Sequence, residues 1–152
     1  MTALRRTGFV YDELYMWHDT GNYAGPMPYG NPVQPSTHAE NPETKRRMRN
    51  LLEISGLTED LHVIKPRMAL ESEILAFHTL EHLENVKLVS AGTGGDAGVF
   101  TPAGRGSFEI AMLSAGGVLG AIESILTGDV DNAYALVRPP GHHAIAVEGM
   151  GF

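Results

Sequence analysis

The chain of 152 residues has the length of one domain and is large enough to bury a core of its own. Its formal net charge of −7 and sequence pI near 5.4 exclude a surface built to grip the phosphate backbone of nucleic acid directly. With no cysteine it forms neither disulfides nor cysteine-ligated zinc sites, so any metal has to be held by His, Asp or Glu.

Glycine is abundant, 18 of 152 residues or about 12% against a usual ~7%. It is concentrated in a few loops and one helix, which points to tight backbone approaches rather than disorder. The opening MTALRRTGFVYDELY has an apolar run broken at Asp12 and Glu13, too short for a signal peptide. No stretch approaches the ~20 apolar residues of a membrane span, and a soluble cytoplasmic protein is the expectation.

In chain order, Thr7 to Tyr11 predicts a short strand, and Leu14 to Trp17 adds an apolar continuation. From His18 to Asn41 there is no periodicity. Gly21, Gly25, Pro26, Pro28, Gly30, Pro32 and Pro35 punctuate a connection longer than compact domains normally carry without purpose, and Tyr23 and Tyr29 suit an ordered loop at a pocket rim. Asn41-Pro42-Glu43 opens a helix, with a cap, a proline at the first helical position and an acid in the first turn. Met48, Leu51, Leu52 and Ser55 share one face, Lys45, Arg46, Arg47 and Arg49 read as a solvated face, and Gly56 stops the helix. Leu61 to Lys65 predicts a second strand, closed by Pro66.

Ala69 to Ser90 is helical in character, as two pieces meeting near His78. Within it, His78-Thr79-Leu80-Glu81-His82 matches H-x-x-E-H, in which histidines at i and i+4 on one helical face bind zinc and the glutamate serves as base in inverted metalloproteases. A third ligand is still required, and Glu109, Glu123 or Glu148 could supply it with no signature to choose among them. Ala91 to Ser107 is a second long glycine-rich loop. It lacks the Gly-Lys-Ser/Thr ending of a phosphate cradle, and Asp96 within it reads first as a turn residue. From Ser107 to Gly128 runs a long helix whose face of Ile110, Leu113, Gly117, Gly120 and Ile125 is small enough to sit close against a sheet.

After a turn at Gly128 to Asn132, Ala133 to Val137 predicts a buried strand that Pro139 and Pro140, lacking backbone donors, must end. Gly141 lets backbone pass close to a ligand. His142 and His143 follow, and imidazoles titrate where proton transfer near pH 7 needs them. Strands alternating with helices predict an α/β fold with parallel pairing, and a loop past the carboxyl end of a strand is where such sheets bind ligands.

Arg138-Pro139-Pro140-Gly141-His142-His143-Ala144, followed by Met150-Gly151-Phe152, resembles the signature of the zinc-dependent histone deacetylase family. The Arg-Pro-Pro form is similar to the class II branch, the bacterial histone-deacetylase-like amidohydrolases and the acetylpolyamine amidohydrolases, and Met-Gly-Phe favours the first two. The resemblance implies a three-layer arginase/deacetylase fold with a mainly parallel sheet, present as its amino-terminal portion over residues 1–152. It implies hydrolysis of an acetyl-amide, most plausibly an N-ε-acyl-lysine of a protein or peptide, or of an acylated polyamine. In that reading His143 is general base and later acid, and His142 tunes it. Gly151 offers its carbonyl to the substrate amide, Phe152 walls the acyl channel, and Asp96 accepts hydrogen bonds from substrate backbone at the rim. The first long loop would lie near the tunnel mouth, and His78 and His82 would belong to a structural helix. Zinc is the implied cofactor, but the family's ligands, an Asp-x-His pair and a further Asp, lie downstream of Gly-Phe, as does the oxyanion helper. No metal ligand is therefore expected in this chain, and the alternative is a truncated, non-catalytic fragment that at most binds a ligand or partner.

Overall fold

The computed structural model describes residues 6–152 apart from Ala24, Pro26 and Asn31. Pro26, counted above among the loop breakers, and residues 1–5 of the opening stretch lie outside the described residues. Strand β1 (Thr7–Val10) forms as expected. The apolar Leu14–Trp17 stretch does not prolong it. Asp12 Oδ1 accepts the Leu14 N–H at 2.9 Å and turns the chain into a 3-10 helix over Glu13–Trp17, which buries Tyr15 and Met16. Within the first long loop β2 (Asn22–Tyr23) and β3 (Ser36–Thr37) pair antiparallel.

Helix α1 (Glu43–Ile54) is capped by Asn41, whose Oδ1 accepts the Glu43 N–H at 3.0 Å, and the chain leaves it through Gly56 at φ 74°. Its orientation corrects the expectation. Met48, Leu51 and Ser55 are exposed, whereas Lys45, Arg46, Arg49 and Leu52 are half-buried. The reason is pairing: Lys45 Nζ reaches Glu40 at 3.0 Å, Arg46 reaches Glu13 at 2.9 Å, and the Arg49 guanidinium lies 5.6 Å over the Tyr11 ring. Three of the four basic side chains are thereby turned to the protein, while Arg47 is exposed as expected.

Then come β4 (His62–Ile64), α2 (Glu71–Ile74) and α3 (Leu80–Ala91). The helical stretch breaks around His78 as expected. The second glycine-rich loop carries β5 (Gly95–Asp96), β6 (Gly98–Val99) and β7 (Pro102–Ala103), with β5 and β7 antiparallel. Helix α4 (Ser107–Leu126) leads to β8 (Asn132–Ala135), and β9 (Gly149–Met150) pairs in parallel with β6.

The main sheet has the order β4-β1-β8, all parallel, with Val10 between Ile64 and Ala135 on one face and Phe9 between Val63 and Tyr134 on the other. Helix α4 lies on the first face. There Val10, Ile64, Ala121 and Val130 form the core, beside a second cluster of Tyr15, Met16 and Leu113. The close approach expected of its glycines is real: a Cβ on Gly117 would meet Tyr15 Oη at 2.6 Å and Val10 Cγ1 at 3.0 Å. Ile125, expected on the buried face, is exposed. A 20-residue helix is roughly 30 Å long and outruns four-residue strands of roughly 13 Å. By length and mean hydropathy of 1.5, α4 is also long and apolar enough to cross a membrane, contrary to the expectation above. In this fold it is the helix laid across the sheet. The second face is covered only at its centre: Phe9 is 4% exposed, whereas Val63 is 72% and Tyr134 47% exposed, and α1 reaches it where Tyr134 OH donates to Met48 Sδ at 3.6 Å.

Candidate active site

The site is built where β8 ends. Leu136 N–H still donates to Val10 O at 2.9 Å, and Arg138 then turns inward and is wholly buried. Its Nε donates to Glu40 Oε2 at 2.7 Å, Nη1 to the carbonyls of Tyr15 (3.1 Å) and His18 (2.5 Å), and Nη2 to the Glu40 carbonyl at 3.1 Å. Burial pulls the guanidinium below its ordinary pKa, and the Glu40 carboxylate offsets this. Pro139 and Pro140 follow, with Ser114 Oγ donating to Pro139 O at 3.2 Å. The chain then swings out through Gly141 into a turn closed by Ala144 N–H on Gly141 O at 3.0 Å. His142 and His143 project from that turn, both exposed, with ring centroids 4.1 Å apart and planes tilted by 49°.

Phe152 is delivered to them by the second glycine-rich loop. Gly98 pairs with Gly149 so closely that a Cβ on Gly98 would lie 2.2 Å from Gly149 O. Gly151 N–H donates to Val99 O at 2.8 Å, and Phe152 N–H to Phe100 O at 2.9 Å. The Phe152 ring thereby lies 5.9 Å from His142 and 5.8 Å from His143, between centroids. Gly151, at φ 55°, occupies the left-handed region beside His143.

His142, His143, Gly151 and Phe152 thus converge. Asp96 is placed apart from them: its Oδ1 accepts the Gly98 and Thr101 N–H groups at 3.1 and 2.8 Å, the behaviour of a turn residue, and it lines an open groove of about 440 Å³ with Asp19, Tyr23 and Tyr29. Tyr23 and Tyr29 thus border this groove.

Sequence reasoning missed Glu40, His18 and His38, which carry no spacing signal and stand singly in a long loop, and it left Arg138 as a letter in a motif. His18 Nδ1 lies 2.8 Å from Ser107 Oγ, and burial, then the Arg138 charge, pushes its pKa down to about 3. His38 is also buried, with Nδ1 accepting the Glu40 N–H at 3.0 Å. Nε2 of each is buried and has no hydrogen-bond partner among the described residues. Behind the His-His turn lies a mostly apolar cavity of about 180 Å³ lined by His18, Pro139, Pro140, Gly141 and Phe152 among others.

The H-x-x-E-H stretch does not form the one-faced helical pair it suggested. His78 precedes α3, held by Nδ1 near Ala146 O at 3.3 Å, while His82 sits in the first turn, where Thr79 caps its N–H. The rings are 5.0 Å apart. None of Glu109, Glu123 or Glu148 completes a set, and Glu123 is tied to Arg67 at 2.6 Å. Among the described residues no group of three or more His, Asp or Glu is placed to hold a metal, so the residues present do not fit a zinc site.

The family model described as histone deacetylase domain matches residues 38–152. The chain is 46% identical over 151 residues to the histone deacetylase-like amidohydrolase of Pseudomonas aeruginosa, covering 97% of the chain and 40% of that relative. It is 32% identical over 126 residues to the polyamine deacetylase HDAC10 of Danio rerio, covering 79% of the chain and 19% of the relative. Among solved structures it is similar to the HDA15 HD domain, with a TM-score of 0.82 and 31% identity over 97% of this chain and 39% of that one. The chain spans about two fifths or less of the length of these relatives.

Proposed function

The chain belongs to the histone deacetylase family and has its arginase/deacetylase fold, and from that premise we propose that it is the amino-terminal part of a single catalytic domain that hydrolyses an acetyl-amide. The substrate is an N-ε-acyl-lysine of a protein or peptide, or an acylated polyamine. The observation that carries the reading is the convergence of two vicinal imidazoles and the Phe152 ring past the carboxyl end of a parallel strand. His143 takes a proton from the attacking water and returns it to the leaving nitrogen as the C–N bond breaks, so that amide and water become amine and carboxylate. His142 tunes that proton transfer. Phe152 walls the acyl chain, the Gly151 carbonyl accepts the substrate amide N–H, and the second carboxylate oxygen of Asp96 accepts backbone N–H groups of a peptide substrate at the rim. Relatives of this kind imply zinc. The described residues do not fit it. A net charge of −7 supports a protein or amine substrate rather than nucleic acid.

The test is a chimera in which residues 1–152 replace the matching segment of the Pseudomonas aeruginosa relative. It should hydrolyse acetyl-lysine peptide. His143→Ala should lower kcat/KM by ~10² to 10⁴-fold, the usual contribution of an acid-base group, while His142→Ala leaves measurable turnover. Equal activity of His143→Ala and the parent chimera would remove the assignment. A second reading, a chain that binds without turning over, is favoured by the lack of a metal-holding set among the described residues. It expects neither turnover nor submicromolar zinc binding from residues 1–152 alone, measured by fluorogenic assay and calorimetry.

A further inference from the structure

We propose that Arg138 is the positioning residue of the His142–His143 turn, acting through a buried clamp onto the first long loop. The inference rests on the proposed function, since placing the imidazoles matters to the extent that they move protons. A guanidinium with no exposure is hard to desolvate, and an apolar side chain of similar volume often serves stability as well or better. What the charged group adds is direction. Its planar fork is satisfied only when the Tyr15, His18 and Glu40 carbonyls and the Glu40 carboxylate lie around it together. Glu40 is itself held from the other side by Lys45 Nζ at 3.0 Å. The first loop and the end of β8 are therefore one body.

From Arg138 the constraint runs outward with little slack. Pro139 and Pro140 have ring-locked φ, and Ser114 holds the Pro139 carbonyl. Beyond the histidines, Ala146 O accepts the Thr79 N–H at 2.9 Å, so the turn is tethered at both ends. Among the described residues neither His142 nor His143 has a side-chain hydrogen bond, and their rings touch only each other and Phe152 among aromatic groups. Where they point is set by the turn's backbone, and the clamp sets where that backbone starts.

The test uses the 152-residue chain itself, comparing wild type with Arg138→Met and with the double variant Arg138→Met/Glu40→Met, which leaves no unpaired buried carboxylate. Histidine-ring NMR spectra and amide exchange over Gly141 to Ala144 are recorded, with β1 amides as the control for folding. The expected result is that the His142 and His143 rings move towards the signals of free histidine and the Ala144 amide, held by Gly141 O in the wild type, exchanges roughly tenfold faster, while β1 keeps its protection. Wild-type ring signals and turn exchange in either folded variant would overturn the proposal. So would loss of β1 protection in both variants, since Arg138 would then serve the whole fold. No substrate takes part. An inactive chimera together with displaced rings would accordingly count against the proton-transfer reading alone, and unchanged rings would sink the clamp whatever the chimera does.

Discussion

His18 shows what burial does to a single titratable group. Its imidazole is 4% exposed, and desolvation, reinforced by the neighbouring Arg138 charge, moves its pKa from 6.5 to about 3. In the unfolded chain it takes up a proton near pH 6.5, whereas the folded chain refuses that proton until about pH 3. The unfolded state thus binds more protons between those values. The stability this group contributes is complete above pH 6.5 and is lost as pH falls towards 3, with a limiting slope of about 1.4 kcal/mol per pH unit. His18→Asn should accordingly flatten the fall in urea-unfolding free energy between pH 4 and 6 by close to one proton's worth. A variant with the wild-type slope would mean that His18 is not kept neutral by the fold. At this scale the vicinal histidines were legible because they follow two prolines and a glycine in sequence. Arg138 was legible as a letter, but its role was not, because its partners are carbonyls and a carboxylate contributed by the 3-10 helix and the first long loop, 98 to 123 residues away in the chain.

Helix α4 separates two kinds of glycine. A Cβ on Gly116 would lie 2.0 Å from Arg67 O and 2.6 Å from Ala69 N, both backbone atoms that have no rotamer to escape into, whereas on Gly120 the nearest atom is 3.9 Å away. Gly116→Ala should destabilise by ~1–3 kcal/mol through overpacking. Gly120→Ala should stabilise by ~0.5–1 kcal/mol, since alanine is the better helix former. Urea midpoints of the two variants check this, and similar shifts in the same direction would refute the close contact at Gly116. That some glycines in this helix approach the sheet was readable from their spacing. Gly117 meets that expectation and Gly120 does not, and the contact of Gly116 with the Arg67–Ala69 segment was not readable, because period alone does not say what lies opposite a face.

At the scale of the molecule, the flanks of one sheet face and the outer side of α1 are left uncovered by the described residues. Val63 on β4 is 72% exposed, and Leu51 and Ile54 on α1 are 68% and 87% exposed. Among the described residues strands β4 and β8 lie at the sheet's edges and each has one paired side, and an edge of that kind offers backbone groups to another chain. The 152-residue chain is expected to self-associate, seen as a sedimentation coefficient that rises with concentration. Val63→Lys with Leu51→Glu should suppress the rise. A monomer at all concentrations in the wild type would show that these faces are not sticky.

Local sequence was enough to set the start of α1 at Asn41, the stops at Gly56 and Gly128, the strand after Arg6, and the loop that follows β8. Each of these depends on ring-locked or glycine dihedrals and on bonds between residues a few positions apart. Folding in three dimensions was required to choose which side of α1 turns inward, to seat Gly116 against the Arg67–Ala69 backbone, to bury Arg138 against Glu40, and to bring Phe152 onto the imidazoles through the pairing of β6 with β9. The physical reason is common to all four: a side chain's burial and its partners depend on what lies opposite it in space, and here what lies opposite is carried by a distant part of the chain.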